Sequence, residues 1–478
     1  MTVSLRVLLA DPDVPDVMIS GLCEDSRTVQ AGDAFIAIRG EFADGHDFVR
    51  QAQSFGAVAI LCEHAIDAVQ VPTIVVADLK ARRGALAAGL YADPSRQLHC
   101  AGVTGTNGKT TIAHYVADIA GRLGHSAGYM GTIGWGVPGA LEDVRLTTEN
   151  AVTVQKRLRQ LVDAGHEWVA MEVSSHALIQ GRVAEVAFDV AAFSNLSRDH
   201  LDYHVTHEAY GRAKAALFAY PCLSAAVINM DDPFGQRIAR ELRPGVRLIG
   251  YGRDADISWQ NLTFTAQGVR GRWLTPWGNA ELELPVAGEF SVANMAAAVG
   301  VLCVAGLAFE DVIQAAANVA AVPGRMEFFR AAGRPTMVVD FAHTPDALDK
   351  MLEALRHHTT GRLVCVFGCG GDRDPGKRPL MAEAAERRAD VLWLTSDNPR
   401  SEDPDRILDA MAAGLTLRAR AHRCADRREA ITRALDGADA QDLIVVAGKG
   451  HETYQEIAGI RVDYSDREVV ANLMEAAS

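Results

Sequence analysis

At 478 residues the chain is too long for one ordinary domain, so two to four are expected. With 49% hydrophobic and 23% charged residues it has the composition of a soluble globular protein, and no run reaches the roughly 18–20 apolar residues of a membrane span. A net charge of −14 without any basic tract argues against nucleic acid as the main partner, while anionic small ligands remain open to a few cations and local amides.

Along residues 1–97, "DAFIAIRG", "AVAILCE" and "PTIVVAD" have strand character and "HDFVRQAQSFG" helical character. The start, "MTVSLRVLLADPD", is a poor signal peptide, and "ADPSRQ" at 92–97 has the look of a linker. A second domain is expected over 98–324. There "HEWVAMEVSS", "VAAFSNLS" and "SAAVINMDD" predict buried strands ending in polar residues, and residues 256–290 alternate like antiparallel hairpins. A third domain is expected over 325–478. Its apolar runs "TMVVDFAH", "RLVCVFGCGG", "DVLWLTSDNP" and "DLIVVAGKGHE" are separated by helical stretches, which predicts a parallel sheet covered on both faces. The expected class is α/β: a small N-terminal domain, a central parallel-sheet phosphate-loop domain with added antiparallel strands, and a Rossmann-like C-terminal domain. The eight cysteines are scattered, form no CxxC pair and sit mostly in apolar runs, so free thiols in a reducing cytoplasm are expected. Cys365 and Cys369 lack the second pair that a structural metal site needs.

"GVTGTNGKTT", residues 102–111, follows a strand and opens a helix, the setting of a phosphate-binding loop. The spacing G-x-x-x-x-G-K-[ST] is not met, because position 103 is Val; what stands is the shorter G-T-N-G-K-T. Gly105 and Gly108 let amides approach phosphate oxygens, with Thr106, Asn107 and Thr111 completing the loop. Lys109 supplies a point charge, and the Thr110 hydroxyl is placed for Mg²⁺. The loop predicts ATP or GTP but not what the phosphate is spent on. Further on, "VAMEVSSHAL" ends a buried strand on Glu172, "FSNLSRDHLDYH" carries His200, and "YGRAKAALF" sets Lys214 in an apolar helix. Each has an ordinary reading: a salt bridge, a core histidine, a lysine snorkelling to solvent. Together near a phosphate loop they favour a Mg²⁺ site.

"GTNGKTT", "MEVSSHAL", "NLSRDHLDYH", "Y-x3-K-x2-LF", "PGRME" and "DFAHTPD", in this order, resemble the Mur ligase superfamily of ATP-dependent amide-forming enzymes. The resemblance implies a carbamylated Lys214. It implies two Mg²⁺ ions, one held by Thr110 and Glu172 and the other by Glu172, His200 and Lys214. It also implies ATP contacts from Asn294, Arg325, Asp340 and His343, and a reaction through an acyl phosphate. Phe341 stands where many relatives have Tyr. "EDSRTVQAGDAFIAIRGEFADGHDF" resembles the family's uridine-nucleotide domain, with Ser26 at the nucleotide. Thr147, Thr148, Ser174, Ser175, Gln180 and Arg182 would hold the sugar and peptide of a UDP-MurNAc-dipeptide.

The turn "DNPR", Asp397 to Arg400, ends a strand of a parallel sheet, where ligands bind. Its acid, amide and guanidinium suit a zwitterion. By resemblance this turn reads meso-2,6-diaminopimelate, with Arg373, Asn398, Gly448 and Glu452 contributing. Two alternatives stay open: L-lysine as the amine, or D-Ala-D-Ala addition. The implied protein is a cytoplasmic monomer of cell-wall precursor synthesis, acting on small molecules, with neither nucleic acid nor membrane as partner.

Overall fold

The computed structural model describes residues 2–40, 43–66, 69–265, 268–417 and 420–475, with main chain alone at 201–202. Residues 41–42, inside the nucleotide-domain motif, lie outside the described residues. The chain gathers into two compact units: Met1–Asp256 with Ala297–Val312, and Ile257–Ala296 with Ile313–Ser478. Helix Glu289–Val304 begins in the second and ends in the first.

The first unit carries a two-stranded sheet, Val3–Ser4 with Met18–Ile19, and two larger ones. Gly21–Cys23, Asp33–Ala37, Ala59–Cys62 and Thr73–Val75 lie side by side, all parallel. Asp33–Ala37 and Ala59–Cys62 are buried along their whole length, which explains their unbroken apolar runs. The stretch expected as a linker is instead a packed joint. Pro94–Gln97 forms a 3-10 turn with Pro94 and Ser95 buried, and Ser95 Oγ accepts the Ala187 amide at 3.0 Å. A proline at the first position presets the turn, so the polar composition that suggests a tether serves a corner.

In the larger, eight-stranded sheet, His99–Thr104 lies between Trp168–Glu172 and Val190–Phe193, parallel to both. Ala127–Gly131 extends one side, followed by the antiparallel Gly134–Val137 and Ala140–Glu142. Ala225–Asn229 and Arg247–Tyr251 extend the other. Successive strands are thus laid on opposite sides of His99–Thr104, which makes its carboxyl end a crevice for ligands.

The second unit contains an antiparallel meander, Ser258–Phe264, Val269–Thr275 and Gly278–Leu284. It also holds a six-stranded sheet, and all four apolar runs singled out from the sequence are strands of it. From one edge the order is Glu327–Phe329, Thr336–Asp340, Leu443–Ala447, Leu363–Phe367, Val391–Leu394 and Ala421–Arg423, with only the first antiparallel. Alternate residues face two cores. Cys365, Phe367 and Val445 pack with Leu352, Met381 and Leu408, while Val364, Val366 and Val446 pack with Ile431 and Val470. Thr344, Asp403 and Asp426 cap three of its helices through their side-chain oxygens, two of them with proline next in sequence. Among the described residues no helix is long and apolar enough to cross a membrane.

Candidate functional site

Two clusters of polar side chains form at strand ends, one in each unit. In the first, Gly105 turns the chain out of strand His99–Thr104 with φ 146°, and Gly108, φ 87°, leads into helix Lys109–Arg122. A Cβ on Gly105 would lie 1.9 Å from Ser194 Oγ, so this position takes no side chain. The end of the neighbouring strand cradles the loop. Asn195 accepts the Thr106 amide at 2.8 Å through its carbonyl and the Asn107 amide at 3.0 Å through Oδ1, and Ser194 Oγ donates to Asn107 O. Lys109 Nζ donates to the carbonyls of Gly105 and Thr106 at 2.9 and 2.8 Å. Thr110 is buried in the first helical turn and Thr111 follows it.

Lys214 does not snorkel. It is 1% exposed, donates to Gly105 O at 2.7 Å, and lies 4.3 Å from the centre of the Tyr210 ring. Burial first, then the neighbouring Lys109 charge, push its pKa well below the usual lysine value. The amine is therefore held ready to be neutral, which is the nucleophilic form.

Glu172 is fully buried at the end of its strand. Among the described residues no ion pair reaches it. Tyr129 OH donates to Oε1 at 2.5 Å and the Thr132 amide at 2.8 Å, and Thr132 Oγ1 lies 3.1 Å from Oε2. A carboxylate buried with hydroxyl and amide partners but no cation is suited to a hard metal ion. His200, φ 51°, is about half exposed, beside Asp199 and against the rings of His176 and Tyr210. It makes no hydrogen bond to Glu172 or Lys214. Among the described residues no three His, Cys, Asp or Glu side chains gather as a metal site.

Of the residues assigned to sugar and peptide, Thr147, Thr148, Ser174, Gln180 and Arg182 are linked by hydrogen bonds, and Ser175 bonds apart from them. Thr132 Oγ1 lies 3.1 Å from Thr147 Oγ1, Thr148 Oγ1 donates to Glu172 O, and the Ser174 amide donates to Thr148 Oγ1. Ser175 Oγ lies 2.9 Å from His204 Nε2. Arg182 grips Gln180 Oε1 with two nitrogens and Thr148 O with a third. Arg83, not foreseen from the sequence, donates to Gln180 O at 2.9 Å and faces Glu24 at 3.5 Å. Burial raises the Glu24 pKa, opposed by the Arg83 charge. Ser26 is buried and donates to Gln51, beside an Asp25 carboxylate shared by Arg27 and Arg145.

In the second unit, the end of strand Val391–Leu394 runs into the 397–400 turn. Asp397 Oδ1 accepts the Asn398 amide at 2.7 Å. Asn398, 2% exposed, donates to Glu452 Oε2 at 3.0 Å and accepts from the Glu456 amide at 2.9 Å. Arg400 has φ 52°, pairs with the main chain of Glu456 and Ala458, and sends Nη1 to Gly371 O at 2.7 Å. Gly448, φ 116°, passes under Asp397, where a Cβ would lie 2.8 Å from Oδ2. Arg373 is exposed. Elsewhere in this unit the Arg325 guanidinium stacks 4.3 Å over the Phe341 ring, Asp340 accepts the Met326 and Ala342 amides, His343 Nδ1 lies 2.9 Å from Phe341 O, and Asn294 is half-buried in its helix.

Two cations of this unit that are no more than 1% exposed have no place among the residues expected from the sequence. Lys449 is fully buried against Asn398 and Glu452. Arg427 forms a two-nitrogen pair with Asp466 and also donates to Ser396 O and Ala447 O, tying together the ends of two strands. The lysine between two glycines in "GKGHE" was a signal available in the sequence; Arg427, in an ordinary charged helix start, gave none.

Three family models match in succession: the Mur ligase family catalytic domain over 18–97, the Mur ligase middle domain over 103–302, and the Mur ligase glutamate ligase domain over 324–450. The chain is 47% identical over 460 residues to a protein of Ectopseudomonas mendocina named UDP-N-acetylmuramoyl-L-alanyl-D-glutamate–2,6-diaminopimelate ligase, covering 94% of each. It is 44% identical to the Pseudomonas aeruginosa protein of the same name, covering 100% of this chain and 99% of that one. A solved structure of a ligase so named superposes with a TM-score of 0.72 at 36% identity, covering 100% and 99%. A D-alanyl-D-alanyl ligase from Acinetobacter baumannii superposes at 0.71 with 21% identity over 94% and 95%, a likeness of fold alone.

Proposed function

The chain belongs to the Mur ligase family, and on that premise we propose that it joins meso-2,6-diaminopimelate to the D-Glu γ-carboxylate of UDP-MurNAc-L-Ala-D-Glu, spending ATP, in peptidoglycan precursor synthesis. The observation that supports the amine's identity is the 397–400 turn, in which Asn398 lies between Asp397 and Arg400 and donates to Glu452. A zwitterionic head finds a guanidinium for its carboxylate and a carboxylate for its ammonium there; L-lysine would bring no carboxylate to that guanidinium, whose own ionic neighbour is Glu456 at 3.8 Å.

The reaction has two steps. A γ-carboxylate oxygen attacks the γ-phosphorus of ATP, the bond to ADP breaks, and an acyl phosphate results. The amine then attacks the acyl carbon, phosphate leaves, and the nitrogen loses its proton. Lys109 and the loop amides bind the phosphates in the orientation that attack requires. Thr110 and the cation-free Glu172 are oxygen donors that fit Mg²⁺, with His200 and a carbamylated Lys214 assigned to a second ion. Bound Mg²⁺ would supply neutralisation of charge on the transferring phosphoryl group. The depressed basicity of Lys214 supports carbamylation: the neutral amine adds to CO₂, an N–C bond forms, and one proton leaves. Ser26 is assigned to the uridine nucleotide, and Thr147, Thr148, Ser174, Ser175, Gln180 and Arg182 to sugar and peptide. On this reading the protein works in the cytoplasm as a monomer.

The test is phosphate release from ATP with UDP-MurNAc-L-Ala-D-Glu, comparing meso-diaminopimelate with L-lysine. Release with diaminopimelate alone is expected. Release with L-lysine at equal efficiency would overturn the reading of the turn, and release with neither would overturn the carboxylate substrate.

A further inference from the structure

Lys449 is a full positive charge in the second unit with no exposure to solvent. Its ammonium gives one hydrogen bond to Glu452 Oε2 at 2.7 Å and one to Asn398 Oδ1 at 3.1 Å. Asn398 closes the triangle by donating to the same Glu452 oxygen at 3.0 Å. Glu452 Oε2 thus takes both inward hydrogen bonds, and the side chain stays about one-quarter exposed. The lysine is held between two glycines of positive φ, Gly448 at 116° and Gly450 at 52°. A Cβ on Gly450 would lie 2.7 Å from Gly324 O, so the loop that buries Lys449 cannot readily be rebuilt.

Burying an ammonium is costly unless it is paired, and here the pair lies behind a carboxylate assigned to substrate. We propose that Lys449 is a positioning and specificity residue: by fixing and neutralising Glu452 it tunes the pocket for a zwitterionic amino-acid head over a plain ammonium. This rests on the assignment of Asn398, Arg400 and Glu452 to the incoming amino acid. The argument is differential. Removing the Lys449 charge makes the pocket more negative by one unit, whatever its total. A zwitterion of net charge zero gains little from that change, while a terminal ammonium gains attraction. Charges several ångströms apart in a protein interact strongly enough to move the preference about tenfold.

The experiment compares kcat/KM for meso-diaminopimelate and L-lysine in the wild-type protein, Lys449→Met and Lys449→Gln. The expected result is a ratio lowered about tenfold in both variants, with KM for ATP unchanged. Lys449→Gln keeps a hydrogen-bond donor while losing the charge, and carries the test if Lys449→Met does not fold. In a Glu452→Gln background, Lys449→Gln should shift the ratio less than in the wild type, because the part of the effect carried through that carboxylate is gone and only the direct charge remains. A purely structural lysine would lower both amino acids in proportion, and an unchanged ratio in Lys449→Gln overturns the proposal. A wild-type protein inactive with diaminopimelate would instead overturn the substrate assignment on which it rests.

Discussion

Two cations show how position decides role. Lys214 is buried against a phosphate-loop carbonyl, and its depressed basicity suits it to become an anion by taking up CO₂. Lys214→Ala should be almost inactive in phosphate release and partly rescued by a short carboxylate; full activity without rescue would remove the carbamate. Arg400 is oriented by its own backbone pairing and by Gly371 O. Arg400→Ala should raise the KM for diaminopimelate at least about tenfold, the loss expected for a charged hydrogen bond, and leave that for ATP unchanged. Asp25 is held by Arg27, whose side-chain hydrogen bonds bring its pKa from 3.8 to about 2. A folded pKa below the unfolded one stabilises above about pH 4 and is lost as pH falls towards 2. The pair is largely solvent-screened, so Asp25→Asn should cost about 0.5–1 kcal/mol at pH 7 and clearly less at pH 2, read from denaturant midpoints.

Among the elements, the phosphate loop is the most exacting. Gly105→Ala puts a methyl against Ser194 on a φ of 146°, so ATP affinity measured by calorimetry should fall by more than about tenfold. The same loop was the plainest sequence signal, because its chemistry is local: glycines, a lysine and a hydroxyl in consecutive positions before a helix. The buried strands were legible for a related reason, since Val364 to Phe367 and Ile444 to Ala447 face two cores and must be apolar at every position. The turn at 397–400 could be placed at a strand end, and its polar residues named. What lay beyond reach was any role created by distant pairing. Arg427 meets Asp466 across 39 residues, and Lys449 meets Asn398 across 51. Neither spacing is periodic; nothing in its local pattern distinguishes Arg427 from a surface charge, and Lys449 has only its two flanking glycines to mark it. The stretch at 92–97 shows the converse: a proline corner and a linker share a composition, and the burial of Pro94 and Ser95 is what composition alone does not show.

At the scale of the whole molecule, ligand binding and stability are linked. ATP with Mg²⁺ at a hundred times its Kd should stabilise the folded protein by about 2.7 kcal/mol, and a chelator should remove most of that gain in a thermal scan. Retention of the full gain after chelation would argue against oxygen-ligated metal at Glu172 and Thr110. The division of the chain matters before any ligand arrives. The first unit takes residues up to Asp256 and then needs Ala297–Val312, while the intervening Ile257–Ala296 belongs to the second. Val299, Val301 and Leu302 in the returning segment are buried. A chain emerging from the ribosome therefore cannot finish its first unit before part of its second has been made. The phosphate loop, among the first functional segments synthesised, has to wait for a helix encoded nearly two hundred residues later, and the nascent protein passes through a long stage in which an apolar seam stands open to chaperones.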